Sequence, residues 1–495
     1  MRSPMVPSPT PNPLSRLLIF PAVLIAALMA VVFVLAAFNT DPPITDPDVY
    51  WHLTNARHLV TTHHFIRADT DTFTVNGHPW INFEWLSELP YYYAFLHFGE
   101  RGLFAVMMLL AEAIILGIFL LAWLRSHEIR AALLTTWIAA LLATVSLAPR
   151  TLLFGWLCLI AELLILWTYK ENKNYTWALP PLFFLWINLH GSWLIGFVFL
   201  LVFIAANSIT VTWGSIATTA WPRPERNKWL LITALTFAAL FLNPYGWRLV
   251  AYPLDVAFQQ KLTLLYVEEW ASLDFHLFRG KLMLAVLLGM AALNLIRRRT
   301  WLLADLLLAS ITIYAALTYS RFLFLAAIVL SPLLALDLKD LLGHQAAKPN
   351  KPLINAAAIA ILIFGVAHLY PTQTRLHAQV AAVFPEAALP AIRALPPNAR
   401  ILNFYDWGGY LTWNIPTRPV FLDGRTDIFV HEGIMKDYAS VLNANQVFEI
   451  LDRYRITHVL FPRGGPFPYL LLHSPQWHLI YEDPQTQLFA RQPLP

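Results

Sequence analysis

Cysteine is almost missing: Cys158 stands alone in 495 residues, inside an apolar run. No intrachain disulfide can form, and the redox compartment is left open. Charge is also scarce, at 13% of residues, about half the usual share for a water-soluble domain. The basic residues sit in short connections between apolar segments. A net charge of +4 therefore does not describe a nucleic-acid surface. There is no Gly-rich phosphate loop, no Walker motif and no Ser-His-Asp arrangement of diagnostic spacing. Internal repeats are absent too, and the Pro-rich residues 1–16 are expected to be a disordered tail.

What the chain has in abundance is apolar length. Hydrophobic residues make up 58% and the mean hydropathy is +0.54, which places most of the chain in a bilayer. The 19 Trp and 18 Tyr suit many membrane–water interfaces. A first span is expected over 17–38, an anchor and not a cleaved signal. Further spans are expected near 102–124, 131–148, 152–169, 177–190, 192–214, 228–242, 281–296, 300–318, 321–337 and 353–370, about eleven in all. Arg and Lys concentrate in alternate connections: Arg125 and Arg130; Lys170 and Lys173; Arg223, Arg226 and Lys228; Arg297 to Arg299; Lys339, Lys348 and Lys351. The positive-inside rule makes these, and the N-terminal tail, cytoplasmic. A loop at 39–101, an amphipathic segment at 243–280 and everything past about 375 then lie outside.

From about 376 the composition changes, and Pro, Asp and Arg return. Strands are expected at 399–404, 418–423, 457–462, 477–482 and 487–491. Helices are expected near 386–395, 431–442, 446–455 and 468–474, which makes a small α/β domain of 376–495. The expected fold is thus an α-helical polytopic membrane domain, 17–375, with an extracytoplasmic α/β domain.

The chemistry concentrates in DPDVYWHLTNARHLVTTHHFIRADTDTFTVNGHPWINFEWLSE, 46–88, a polar stretch between apolar ones. Asp48 could take a proton from an acceptor, bind a hard cation, or cap a helix. Asp46, followed by Pro47, suits capping better. WINLHGSW, 186–193, sets Asn188 and His190 at a tight turn, where polar groups serve function or interhelical bonding.

DVYWHLTNAR resembles the D-x-Y-Y-H-L-R element of oligosaccharyltransferase catalytic subunits, members of the GT-C superfamily of polytopic glycosyltransferases. The continuation through DTDTFTVNGHPWINFEWLSELPYY is similar to bacterial GT-C-like proteins that use polyprenyl-linked sugars. The resemblance implies that Asp48 is catalytic and helps to bind a divalent metal. YVEEWASLDF, 266–275, resembles the S-V-x-E-H element and puts Glu269 in the place of a functional Glu; an amphipathic surface helix would read the same way. YSRF, 319–322, sets Arg321 where the family's Arg binds donor phosphate, or where an Arg snorkels to the interface. DWGGYLTWNIPTRPVFLDGRT, 406–426, resembles the W-W-D-Y-G stretch and its A-D-G/N-x-T continuation. It departs from that pattern at Phe404, Tyr405, Trp407 and Gly408, and its glycines would equally make turns.

The family's acidic pair after the third span is missing from SLAPRTLLFGW, 146–156, where Arg150 offers a further phosphate contact. The resemblance therefore implies a membrane glycosyltransferase that takes a sugar from a polyprenyl phosphate or diphosphate to a glycan, lipid or protein acceptor. Asp48 and Glu269 would be catalytic, and both would be ligands of any Mg or Mn cation, which the reaction could also lack. Arg321 and Arg150 would hold donor phosphate. Asp406, Trp407, Asp423, His52 and Glu84 would line the acceptor or substrate side. Two other classes remain open: a non-catalytic scaffold for envelope polysaccharide, and a transporter, for which the mid-span acids Glu112, Glu162 and Asp305 are few.

Overall fold

The computed structural model describes residues 19–38, 42–143, 147–169, 174–259, 270–342 and 350–492. The tail expected at 1–16 and Glu269 lie outside the described residues. In chain order the membrane part holds α1 (Phe20–Ala37), α2 (Asp48–Thr62), α3 (Trp85–Phe98), α4 (Glu100–Ser126), α5 (Ile129–Ala143), α6 (Leu152–Tyr169), α7 (Leu179–Leu189) and α8 (Trp193–Asn207). It continues with hairpin strands β1 (Val211–Trp213) and β2 (Ile216–Thr218), then α9 (Arg223–Ala239), α10 (Trp247–Gln259), α11 (Phe278–Arg297), α12 (Leu303–Thr318), α13 (Leu323–Leu338) and α14 (Pro352–Leu369). Six of the described helices are long and apolar enough to cross a membrane, among them α1, α4, α6, α11 and α14, and four shorter apolar helices accompany them.

Helix α13 is apolar all round and sits at the centre, packed on α4, α5 and α12. Helix α14, almost wholly unburied, touches α1 and otherwise presents Leu353, Ile361 and Phe364 outward, as a lipid-facing helix must. The run expected as a span at 192–214 ends as helix at Asn207. The β1–β2 hairpin follows, because Thr210 to Thr218 alternate around Gly214 at φ +55°.

The stretch expected as a loop is half helical. Pro47 and the Asp46 carboxylate start α2 at Asp48, and His63, left-handed at φ 58°, ends it. Its first two turns are buried on every side, because α2 lies between α3 and the C-terminal domain.

That domain contains α15 (Gln373–Ala381), α16 (Leu389–Arg393), β3 (Ile401–Asn403), α17 (Gly408–Asn414), α18 (Thr426–His431), α19 (Ile434–Leu442), α20 (Val447–Arg453), β4 (His458–Pro462), α21 (Pro466–Leu472), β5 (Trp477–Glu482) and β6 (Thr486–Arg491). The sheet order is β3-β4-β6-β5, parallel at β3–β4 and antiparallel elsewhere. The strand expected at 418–423 does not join it. The Asn403 side chain takes Phe421 N–H and the Leu422 carbonyl, while Val420 pairs outward with Asp71 and Phe73 of the first loop. Pro419 lacks the donor a central strand needs.

This outward pairing fixes the geometry of the site. The first loop, the segment beginning at Pro244 and the C-terminal domain meet at one end of the helices: Arg67 reaches the Pro244 carbonyl, Tyr245 that of Ile66, and Tyr252 and Trp80 both donate to Asp427. Elsewhere, connections rich in Arg come together through the pairs Arg125–Asp305, Arg299–Asp337 and Arg297–Asp340.

Candidate active site

Asp48 occupies the first position of α2. Its own N–H donates to Asp46 Oδ1 at 3.0 Å, and its Oδ1 accepts from Trp51 Nε1 at 3.0 Å. Burial, then the neighbouring Asp46 charge, raises its carboxyl above the ordinary range; Arg150, His52 and the Trp51 bond pull the other way. Arg150 Nε pairs with Asp46 Oδ2 at 2.6 Å, and its carbonyl accepts from Tyr91. Asp46 thus both holds the start of α2 and anchors Arg150 beside Asp48.

One turn further along α2, on the same face, His52 opens a buried polar network. His52 Nδ1 lies 3.0 Å from Glu88 Oε1, and Glu88 also accepts from Asn55 and Asn82 at 3.0 and 2.7 Å. Glu88 thus holds three side chains at once. His52 Nε2 is 3.7 Å from Glu84 Oε2, and Glu84 Oε1 is 3.1 Å from His190 Nε2. The Ser192 N–H donates to His190 Nδ1, which puts the ring proton on Nε2, facing Glu84. Burial pushes Glu84 up to about 7, against the pull of His52. Burial, then the Arg321 charge, pushes His190 down to about 3. For His52 the carboxylates outweigh burial and raise it.

Arg321 stands in a single turn, Ser320–Phe322, with its guanidinium 4.4 Å over the Trp270 ring. Its influence on His190 places it within electrostatic reach of the network.

From the other side the C-terminal domain closes on α2 through glycines. A side-chain carbon at Gly409 would press on Trp51 N at 3.0 Å, and one at Gly424 would collide with the Asp48 carboxylate and with Trp51 Nε1. Tyr405, between these turns, sets its hydroxyl 2.5 Å from Thr426 Oγ1 and 3.3 Å from the Gly424 carbonyl. Its phenol is raised by burial and then by the Asp48 charge.

The sequence candidates divide accordingly. Asp48, Arg150, His52, Glu84 and Arg321 gather around one region, and Asp406, partly exposed, lies next to Tyr405. Asp423 and Trp407 are both buried and engaged by other groups of the protein. Asp423 shares the buried Arg425 guanidinium with Asp69, at 2.6 and 2.7 Å, which ties the DGRT turn to the first loop. The Trp407 indole is buried and donates to the Val383 carbonyl at 2.9 Å. The pairing of Arg425 with Asp69 spans 356 residues, which local pattern does not show, although Arg425 lies inside the 406–426 motif.

Among the described residues no three His, Cys, Asp or Glu side chains are grouped to hold a metal ion. Asp48 is bonded to an indole, and its nearest acid, Asp46, is taken by Arg150. The described donor set does not fit a divalent cation.

No family model and no curated protein matches the sequence. Solved structures do match. The archaeal oligosaccharyltransferase AglB from Archaeoglobus fulgidus, in complex with an inhibitory peptide and a dolichol-phosphate, superposes with a TM-score of 0.53 at 12% identity, over 88% of this chain and 69% of that one. The same enzyme tethered to an acceptor peptide gives 0.52 at 14% identity, over 88% and 68%. The chain has a GT-C fold. ArnT from Cupriavidus metallidurans in the apo state also matches, at TM-score 0.49 and 14% identity, over 94% of this chain and 97% of that one. In GT-C terms the chain is a multi-pass membrane protein with a small C-terminal α/β domain.

Proposed function

We propose that this protein transfers a sugar from a polyprenyl phosphate or diphosphate to an acceptor at the outer face of a bacterial cytoplasmic membrane, with its N-terminus cytoplasmic. The observation that carries the reading is the position of Asp48: at the head of α2, beneath the Gly424 turn of the C-terminal domain, with Arg150 beside it and Arg321 within electrostatic reach of His190 in the adjoining network. The AglB structure holds a dolichol-phosphate, which supports a lipid-linked donor here.

Asp48 takes the proton of the acceptor hydroxyl or amine as that atom bonds the sugar's anomeric carbon. The bond from that carbon to the phosphate oxygen breaks, and the electron pair leaves with the phosphate. Fixed guanidinium charge at Arg321 and Arg150 stabilises the leaving group. His52 and Glu84 hold Asp48's surroundings polar and structured, and Asp406 flanks the acceptor side. Glu269, on the segment next to Trp270, completes the catalytic set.

The test is turnover and lipid binding of purified, detergent-solubilised protein with a panel of polyprenyl-phosphate and -diphosphate sugars, wild type beside Asp48→Asn. The expected result is donor binding by both and a loss of transfer of at least about a hundredfold in the variant. Equal transfer by both proteins removes Asp48 from the chemistry. Asp48→Asn that fully complements a deletion strain, with no turnover by either protein, establishes the scaffold instead.

A further inference from the structure

We propose that the C-terminal domain carries a separate binding site for neutral carbohydrate, at the sheet edge away from Asp48. The cavity has a volume of about 350 Å³, at the small end of ligand-binding cavities and adequate for a sugar ring or two. It lies between the turn after β4, helix α21 and the paired strands β5 and β6. In the order β3-β4-β6-β5 it belongs to the β5 edge, three strand spacings or roughly 14 Å from β3, next to the segment that docks on α2.

Two walls of different chemistry face each other. One is apolar and open: Tyr469 is 64% exposed, with its ring centroid 4.2 Å from that of His473, and Leu472 is 46% exposed. The other is polar and held in place. Gln487 is buried, and its Nε2 donates to Glu482 Oε1 at 2.8 Å, while Arg463 Nε lies 3.5 Å from the same oxygen. Gln487 Oε1 is buried with no hydrogen-bond partner among the described residues. A buried acceptor without a donor costs about 1–3 kcal/mol, and Gln487 is the lining residue that carries one. Gly464 and Gly465, at φ +89° and +88°, make the left-handed turn at the rim.

A sugar ring answers each of these features. Its C–H face packs on an aromatic and a Leu, and its rim hydroxyls both donate and accept, which matches Gln487, Glu482 and Arg463 together. Charge balance selects among ligands: Arg463 and Glu482 offset each other in the lining, which favours a neutral ligand over a phosphate or uronate. An extended peptide on the β5 edge is disfavoured by the register shift between Leu479 and Tyr481, which breaks an even ladder. The site uses none of the groups around Asp48 and stands whether or not transfer occurs there.

Saturation-transfer NMR on the full-length detergent-solubilised protein, with neutral gluco-, galacto-, manno- and N-acetylglucosamine oligosaccharides and a uronic-acid oligomer as probes, tests it. The expected result is saturable millimolar binding of a neutral oligosaccharide, weakened about tenfold or more in Tyr469→Ala and in Gln487→Leu and unchanged in Asp48→Asn. Tyr469 is exposed, so its variant folds whatever becomes of Gln487→Leu, and a melting curve checks both. Absence of saturable binding by every neutral probe, binding of the uronate alone, competition by peptide only, or binding indifferent to Tyr469→Ala would each overturn the proposal.

Discussion

Gly424 has no side chain because the Asp48 carboxylate occupies the space where its first carbon would go. The two residues lie in different domains, and the glycine is what lets the DGRT turn close on α2. Its φ is not left-handed, so alanine is acceptable to the backbone and the conflict is purely one of contact. Gly424→Ala should therefore push the turn or Asp48 aside, at about 1–3 kcal/mol. Transfer should fall about tenfold or more, with helix content retained by circular dichroism. An unaltered rate would show that the turn gives way without moving Asp48.

Arg425 is the other half of this closure. It is buried between Asp69 of the first loop and Asp423 of its own turn. Arg425→Met leaves two buried carboxylates without their cation, a loss on the order of 3–5 kcal/mol. Protease susceptibility of the 63–82 loop should rise sharply and the melting temperature should drop. A variant as resistant as wild type would mean the loop is held by its other contacts, among them Thr72–Val420, Thr74–Phe421, Trp80–Asp427 and Arg67–Pro244.

Glu84 gives a pH dependence whose sign follows from its raised carboxyl. The folded protein keeps the proton up to about 7, against an ordinary value of 4.5. Its contribution to stability is full below 4.5 and is lost as pH rises through about 7. His190, pushed down to about 3, works in the opposite direction, losing stability as pH falls from 6.5. Melting temperatures of wild type and Glu84→Gln compared between pH 4.5 and 8 isolate the Glu84 part: the wild-type advantage should shrink toward the alkaline end. Parallel curves would mean that Glu84 titrates normally.

Chelation addresses the cation. Because the described donors around Asp48 are an indole and a guanidinium-paired acid, transfer should survive dialysis against EDTA. Activity abolished by EDTA and restored by Mn²⁺ or Mg²⁺ would assign a ligand role to Asp48 together with Glu269.

Apolar length made the membrane helices legible, since little besides a helix satisfies backbone groups over such runs. The strands at 457–462, 477–482 and 487–491 were legible as β-branched and aromatic runs between turns, within a residue of where they lie. RPVFLD was not: its pattern reads as a strand, but its partners are a side chain, Asn403, and a loop some 350 residues earlier. The site shows the same division. Asp48 stood out as an acid within the polar 46–88 stretch, although its place at the head of a helix did not. That Asp46 would anchor Arg150, and that Trp407 would turn inward to Val383, depends on packing that local pattern does not encode.

The bridge between Thr72 and Val420 also sets a timetable. During synthesis the first loop emerges long before its partners, with Asp69, Thr74 and Trp80 waiting for groups about 350 residues downstream. For most of translation the head of α2 has no cover and the loop's Thr72 edge is unpaired. Contacts of such sequence separation form slowly, and they leave an open edge exposed while they form. The region around Val420, made some 350 residues after the first loop, is what shuts that loop, and a chain truncated before it leaves the loop and the head of α2 uncovered.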